Sequence, residues 1–278
     1  MTDPVITVDE LTDCDGPVGI VDVRWYLNEP THGHHAYHAG HIPGAVFMNL
    51  DLQLSDSAGP GRHPLPTRED FAATMERTGF GDDQLIVAYD DRGGAIAARL
   101  WWMLRDIGHE RVRVLDGGLT AWRAAGRPVD TDQPTRPPAT MTVRRSTTHR
   151  LDRNELRSRL GSVTLLDARV LERYRGEEEP IDPVAGHIPT ALSASMTENL
   201  AEDETFLGAE ALRERFLRIG VDADRDTVVY CGSGVTACHN AVAMARAGLP
   251  EPILYPGSWS DWCTSGGEVA VGPEPGSV

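Results

Sequence analysis

The chain has 278 residues, a length that fits two domains better than one. Hydrophobic residues make up 40% and charged residues 24%, the balance of a soluble globular protein. A formal net charge of −16 argues against nucleic acid and anionic lipid as bulk partners, and a small anion must find local positive charge of its own.

The first residues, Met1-Thr-Asp-Pro-Val-Ile-Thr-Val-Asp-Glu, carry no basic region and no long apolar run, so no secretory signal is expected. No stretch reaches the ~20 apolar residues of a membrane span. Cys14, Cys231, Cys238 and Cys263 form no CxxC pair, which indicates neither a disulfide framework nor a zinc site. A reducing cytoplasm is the simplest compartment for such a chain.

Along the first half, Val21-Asp22-Val23-Arg24 is followed by His32, His34, His35 and His38, a set without cysteine in a polar, Gly-containing stretch that reads as a solvated loop. Gly40-His41-Ile42-Pro43-Gly44-Ala45 comes next. Thr67–Thr78 reads as a helix, with Thr67 as N-cap and Glu69 and Asp70 in its first turn. Gln84–Tyr89 reads as a buried parallel strand, and Ala95–Ile107 as a helix stopped by Gly108. The half closes on Val114-Leu115-Asp116-Gly117 and Trp122. From Pro128 to about Thr148, prolines among polar residues predict an extended linker.

The second half repeats the first. Leu166-Asp167-Ala168-Arg169 and Gly186-His187-Ile188-Pro189-Thr190-Ala191 stand in the same order. An apolar run again ends in tyrosine, Val228-Val229-Tyr230, and Ile253-Leu254-Tyr255-Pro256-Gly257 precedes Trp259 and Trp262. Helices are expected at Ala209–Ile219 and Ala237–Ala247, stopped by Gly220 and Gly248. The fold class expected is α/β, with two tandem domains, each a mainly parallel sheet flanked by helices. The expected division is 1–135, a linker at 136–148, and 149–278.

Chemistry concentrates after the strand Thr227–Tyr230, in Cys231-Gly232-Ser233-Gly234-Val235-Thr236. Two glycines in a strand-to-helix turn let several amides point inward, and the following helix adds the positive end of its dipole. Such a nest favours the thiolate form of Cys231. A buried core cysteine is the bland alternative, but a core cysteine needs no such loop. A cysteine phosphatase would need an arginine where Ala237 stands, and the loop holds no Lys or Arg. The matching position in the first half is Asp90, in Tyr89-Asp90-Asp91-Arg92-Gly93-Gly94, and a carboxylate forms no persulfide. The first half is therefore expected to be non-catalytic.

These two Gly-His-Ile-Pro segments, the Asp-x-Arg segments and the Cys-x-x-Gly-x-Thr loop closely resemble the tandem rhodanese family, from about Val5 to Trp262. That family includes thiosulfate and 3-mercaptopyruvate sulfurtransferases. The resemblance implies two rhodanese-like domains and ping-pong transfer of sulfur through a persulfide on Cys231, with Ser233 assisting. Amides of Gly232, Gly234, Val235 and Thr236 would hold the persulfide. The donor is a small anion, and the acceptor is cyanide, a thiol or a thioredoxin-like reductant. No metal and no organic cofactor is needed.

The same resemblance places arginines opposite the cysteine. Arg173 and Arg169 are the substrate-binding candidates, with Arg169 and Asp167 also expected to brace the loop as an ion pair. Arg173 pairing with Glu177 or Glu178 at the surface is the plainer alternative. The neutral loop looks like the mercaptopyruvate branch, yet Glu179–Ala185 lacks the second arginine that branch often carries before Gly-His. His41 is a supporting candidate, either coupled to Ser233 or structural like its repeat His187. A persulfide carrier or interaction module is the non-enzymatic alternative.

Overall fold

The structure, a computed structural model, describes residues 2–222 and 224–277. Contacts divide the chain into two compact units. The first comprises Met1–Ser57, Leu65–Thr147 and Glu202–Phe206. The second comprises Ala58–Pro64, Thr148–Ala201 and Leu207–Val278. Each unit thus takes one short segment from the other half of the sequence, which a contiguous division at 136–148 misses.

Both units are parallel sheets of five strands with the same topology. In the first, β1 (Val5–Ile6), β2 (Val18–Asp22), β3 (Val46–Phe47), β4 (Leu85–Tyr89) and β5 (Val112–Leu115) lie in the order β1-β5-β4-β2-β3. In the second, β6 (His149–Arg150), β7 (Thr164–Asp167), β8 (Ala191–Ser193), β9 (Thr227–Tyr230) and β10 (Ile253–Leu254) lie in the order β6-β10-β9-β7-β8. The middle strands carry continuous apolar runs because both faces are covered. Val228 and Tyr230 pack with Leu165, Trp259 and Trp262 in one core, and Val87 and Tyr89 with Ile42, Leu115 and Trp122 in the other.

The repeated motifs are one structural device used twice. Asp22 binds Arg24, whose Nη2 also donates to the Gly40 carbonyl at 2.9 Å. Asp167 binds Arg169, whose Nη2 donates to the Gly186 carbonyl at 2.6 Å. The strand-end tyrosines complete it: Tyr89 Oη donates to Asp22 and accepts from the Ile42 amide, and Tyr230 Oη does the same with Asp167 and Ile188. Burial and then the neighbouring Asp167 push the Tyr230 phenol well above its ordinary value, so it stays a donor.

The expected helices form. Thr67 Oγ1 accepts from the Asp70 amide and caps Arg68–Arg77. Ala209–Arg218 and Ala237–Arg246 follow as predicted. The helix expected from Ala95 starts at Ala97, because the Asp90 carboxylate takes the amides of Ile96 and Ala97. One reading is corrected. His32–Ala39 is a helix rather than a loop, and its Gly33 is there because a Cβ would lie 2.1 Å from the Arg24 carbonyl oxygen. The proline-rich stretch is extended but not free: Thr140 O accepts from Asp82 N, Ala139 N donates to Glu76 O, Arg144 pairs with Asp82, and Met141 is buried. Among the described residues, no helix is long and apolar enough to cross a membrane.

Candidate active site

β9 ends at Tyr230, and the chain then turns through Cys231-Gly232-Ser233-Gly234 into the helix Ala237–Arg246. This is the strand's carboxyl end, where parallel sheets gather ligands. Gly234 has φ +75°, and a Cβ there would lie 2.4 Å from the Pro256 carbonyl oxygen, so only glycine permits this curl. The curl aims the Gly234 amide at Cys231 Sγ, 3.1 Å away. The loop is held from outside as well. Cys231 N donates to Ser258 Oγ at 3.1 Å, Trp259 N to the Cys231 carbonyl at 2.9 Å, and Ser260 N to the Gly232 carbonyl at 3.0 Å.

Cys231 is therefore buried but pinned by polar contacts, unlike a core methyl-like thiol. The other thiols differ. Cys238 Sγ donates back to the Gly234 carbonyl in the loop, and burial, then Asp182 and Glu179, push the Cys263 thiol up. Val235 is buried beneath the loop, Thr236 caps the helix by backbone alone, and Ala237 stands where a phosphatase arginine would be.

Ser233 Oγ lies 2.8 Å from Nδ1 of His63, with both residues buried. The histidine beside the loop serine is thus His63, not His41. His41 belongs to the first unit, where its Nδ1 meets the Tyr37 carbonyl at 2.9 Å and its Nε2 the Asp132 carbonyl at 3.2 Å. Its ring stacks on Tyr37 at 3.9 Å. His187 repeats that arrangement with Tyr174 and Glu274. Both motif histidines close a turn in their own unit.

His63 and its neighbour Arg62 come from Ala58–Pro64, the segment that belongs to the second unit. Arg62 N donates to Ser260 Oγ at 3.1 Å, and Gly61, at φ +80°, packs so tightly that a Cβ would lie 2.6 Å from the Gly257 carbonyl oxygen. Neither residue was singled out in the sequence, because the segment has no repeated counterpart and lies 170 positions from Ser233. A His and an Arg flanked by Gly and Pro was the one available sign.

Arg173 lies beside the loop. A Cβ on Gly232 would sit 3.4 Å from its Nη1. Its partners are Glu179 at 2.6 Å and Asp182 at 3.1 Å, not Glu177 or Glu178. Arg169 does not reach the loop with a free group. Its Nε and Nη2 go to Asp167 and Gly186, its Nη1 goes to Glu179, and its side chain is 1% exposed. It braces Asp167 and Glu179 from behind, so the substrate-binding expectation for Arg169 is corrected. Among the described residues, no group of three or more His, Cys, Asp or Glu is arranged to hold a metal.

The rhodanese-like domain profile matches residues 7–125 and again 152–265. A Mycobacterium tuberculosis protein carrying a thiosulfate sulfurtransferase name is 46% identical over 93% of this chain and 93% of its own. A Pseudomonas aeruginosa protein carrying a 3-mercaptopyruvate sulfurtransferase name is 44% identical over 88% of this chain and 89% of its own. The crystal structure of SseA from Escherichia coli, described as a rhodanese fold of 3-mercaptopyruvate sulfotransferases, superposes with a TM-score of 0.83 at 31% identity, covering 93% of this chain and 100% of that one.

Proposed function

We propose, for a chain that belongs to the rhodanese family and is a sulfurtransferase, that Cys231 takes sulfur from 3-mercaptopyruvate as a persulfide and gives it to a thiol or thioredoxin-like acceptor. The observation that carries the choice of donor is the 2.8 Å contact between Ser233 Oγ and His63 Nδ1. When the Cys231 thiolate attacks the donor's thiol sulfur, a new S–S bond forms and the donor's C–S bond breaks. The leaving electron pair becomes the enolate of pyruvate, which needs a proton. With the proton on His63 Nδ1, the ring donates to Ser233 Oγ, and the hydroxyl is free to donate to the enolate. Sulfite leaving from thiosulfate needs no such donor.

The products of this half-reaction are pyruvate and a Cys231 persulfide. An acceptor thiolate then attacks the outer sulfur, the S–S bond breaks, and the Cys231 thiolate returns. The Gly234 amide donates to Cys231 Sγ at 3.1 Å and is placed to donate to the sulfur at both stages. Arg173 suits the donor's carboxylate through Nη1, since its Nε and Nη2 are engaged by Glu179 and Asp182. Thiosulfate is the second donor, on the strength of the Mycobacterium tuberculosis relative's name.

The test compares kcat/KM for the two donors and follows Cys231 by mass spectrometry after donor treatment. A higher value for 3-mercaptopyruvate, with one added sulfur on Cys231, is expected. A higher value for thiosulfate overturns the donor. An adduct on Cys238 or Cys263, with full activity in Cys231→Ser, overturns the nucleophile. One equivalent of product per chain without turnover would mark a carrier instead.

A further inference from the structure

The second unit's Tyr174-to-His187 segment is nine residues longer than Tyr37-to-His41 in the first, and the extra residues are Glu177–Ala185. They bring no arginine, but they bring Asp182, and Asp182 binds two arginines at once. Its Oδ1 pairs with Nη1 of Arg62, and its Oδ2 accepts from Nη2 of Arg173 at 3.1 Å. One carboxylate therefore holds two guanidiniums side by side.

What those guanidiniums present on their other side is decided at Gly232. A Cβ on Gly232 would sit 2.8 Å from Arg62 Nη2 and 3.4 Å from Arg173 Nη1. Neither nitrogen makes another hydrogen bond among the described residues. The side chains are 29% and 13% exposed, so a small molecule can reach them. Gly232 follows the nucleophile directly, so both guanidiniums reach the residue next to Cys231.

We propose that Arg62 is a substrate-binding residue that, with Arg173, grips the carboxylate of a thiol-bearing 2-oxo acid over Gly232. It supplies from Ala58–Pro64 the second arginine that Glu179–Ala185 lacks. Two guanidiniums offering one N–H each match the two oxygens of a carboxylate. Charge favours a monoanion. Arg62, Arg169 and Arg173 are balanced by Asp167, Glu179 and Asp182, so the cluster adds no net positive charge to draw a compact dianion. Gly232 is part of the device, because any side chain there takes the carboxylate's space. The inference rests on 3-mercaptopyruvate being the donor.

The test has a turnover arm and a binding arm. For 3-mercaptopyruvate, Arg62→Gln should raise KM about tenfold while kcat changes much less, the pattern of lost ground-state binding. Gly232→Ala should raise KM in the same way without altering charge; its methyl meets only the mobile ends of arginines, so the fold is kept. Arg213→Gln, on the exposed face of the helix Ala209–Arg218, controls for loss of charge alone. The binding arm titrates pyruvate into Cys231→Ser protein by calorimetry, with and without Arg62→Gln. Binding weakened about tenfold by Arg62→Gln and unchanged by Arg213→Gln supports the proposal whatever the turnover donor. Pyruvate binding that is absent, or equal in both proteins, overturns it. A wild-type enzyme that binds pyruvate through Arg62 yet turns over only thiosulfate would overturn the donor assignment alone.

Discussion

Asp90 and Cys231 occupy the same position of two copies of one loop, and the carboxylate of Asp90 takes the amides at that position for itself. Each follows the tyrosine that ends its strand, Tyr89 or Tyr230. Asp90 Oδ1 accepts from the amides of Arg92 and Gly94, and Oδ2 from those of Ile96 and Ala97, all between 2.7 and 2.9 Å. The matching residues of the second unit are Ser233, Val235, Ala237 and Cys238. The first unit thus displays, with its own side chain, how this loop holds an anion.

Cys231→Asp should copy the first unit. Sulfur transfer should vanish, while the new carboxylate gains charge-assisted bonds to the loop and raises stability by about 1–3 kcal/mol. Urea denaturation alongside the activity assay checks this. A destabilised Cys231→Asp protein would mean that the two loops do not present their amides alike.

Asp90→Ala tests the same relationship from the other side. It leaves four buried or half-buried amides without their acceptor, and water can reach only some of them. A loss of about 2–4 kcal/mol is expected in equilibrium unfolding. Donor-treated Asp90→Ala protein should still carry one sulfur on Cys231. Loss of that adduct in folded protein would give the first loop a direct part in the chemistry.

The repeat, the parallel sheets and the cysteine loop were legible because their determinants are local. Asp-x-Arg closes onto its own Gly-His turn, and Cys-x-x-Gly curls onto its own sulfur. Arg62 and His63 were not legible. Their roles depend on a segment of the first half that packs in the second unit, and no periodicity or repeat reports such a contact. The same limit explains His41, whose motif drew attention while its ring was engaged in a backbone turn. Residues 136–148 read as an extended linker because proline and polarity describe composition, whereas the anchoring of 139–144 depends on Asp82 and Glu76 some 60 positions away.

Asp82 gives that anchoring a pH signature. Burial works against its charge, but hydrogen bonds from Arg144 and Thr142 outweigh burial and hold its carboxyl at about 2, against 3.8 ordinarily. A carboxyl lowered in the folded state stabilises above its unfolded value and loses that contribution as pH falls through the folded one. Asp82→Asn should therefore lower the urea midpoint at neutral pH, and the difference from wild type should close between about pH 4 and pH 2. A difference that stays constant across that range would show that Asp82 acts through packing rather than charge.

Ser233→Ala and His63→Gln should separate the two donors. With 3-mercaptopyruvate, the departing enolate loses its proton source in either variant, so kcat should fall about 10²-fold, the lower range for general acid catalysis. With thiosulfate, sulfite leaves carrying its own stable charge, and the same variants should change kcat far less. The two residues act as one unit through the 2.8 Å contact, so the double variant should lose little more than either single one. His63 also gives the reaction a pH dependence, because the enolate's proton passes through its ring. A group that supplies a proton must carry it, so a falling limb of kcat at rising pH that is present with 3-mercaptopyruvate, lost in His63→Gln and absent with thiosulfate would assign that limb to the ring. Equal losses for both donors would show instead that Ser233 and His63 only shape the loop around Cys231, and the enolate would then need a proton source elsewhere.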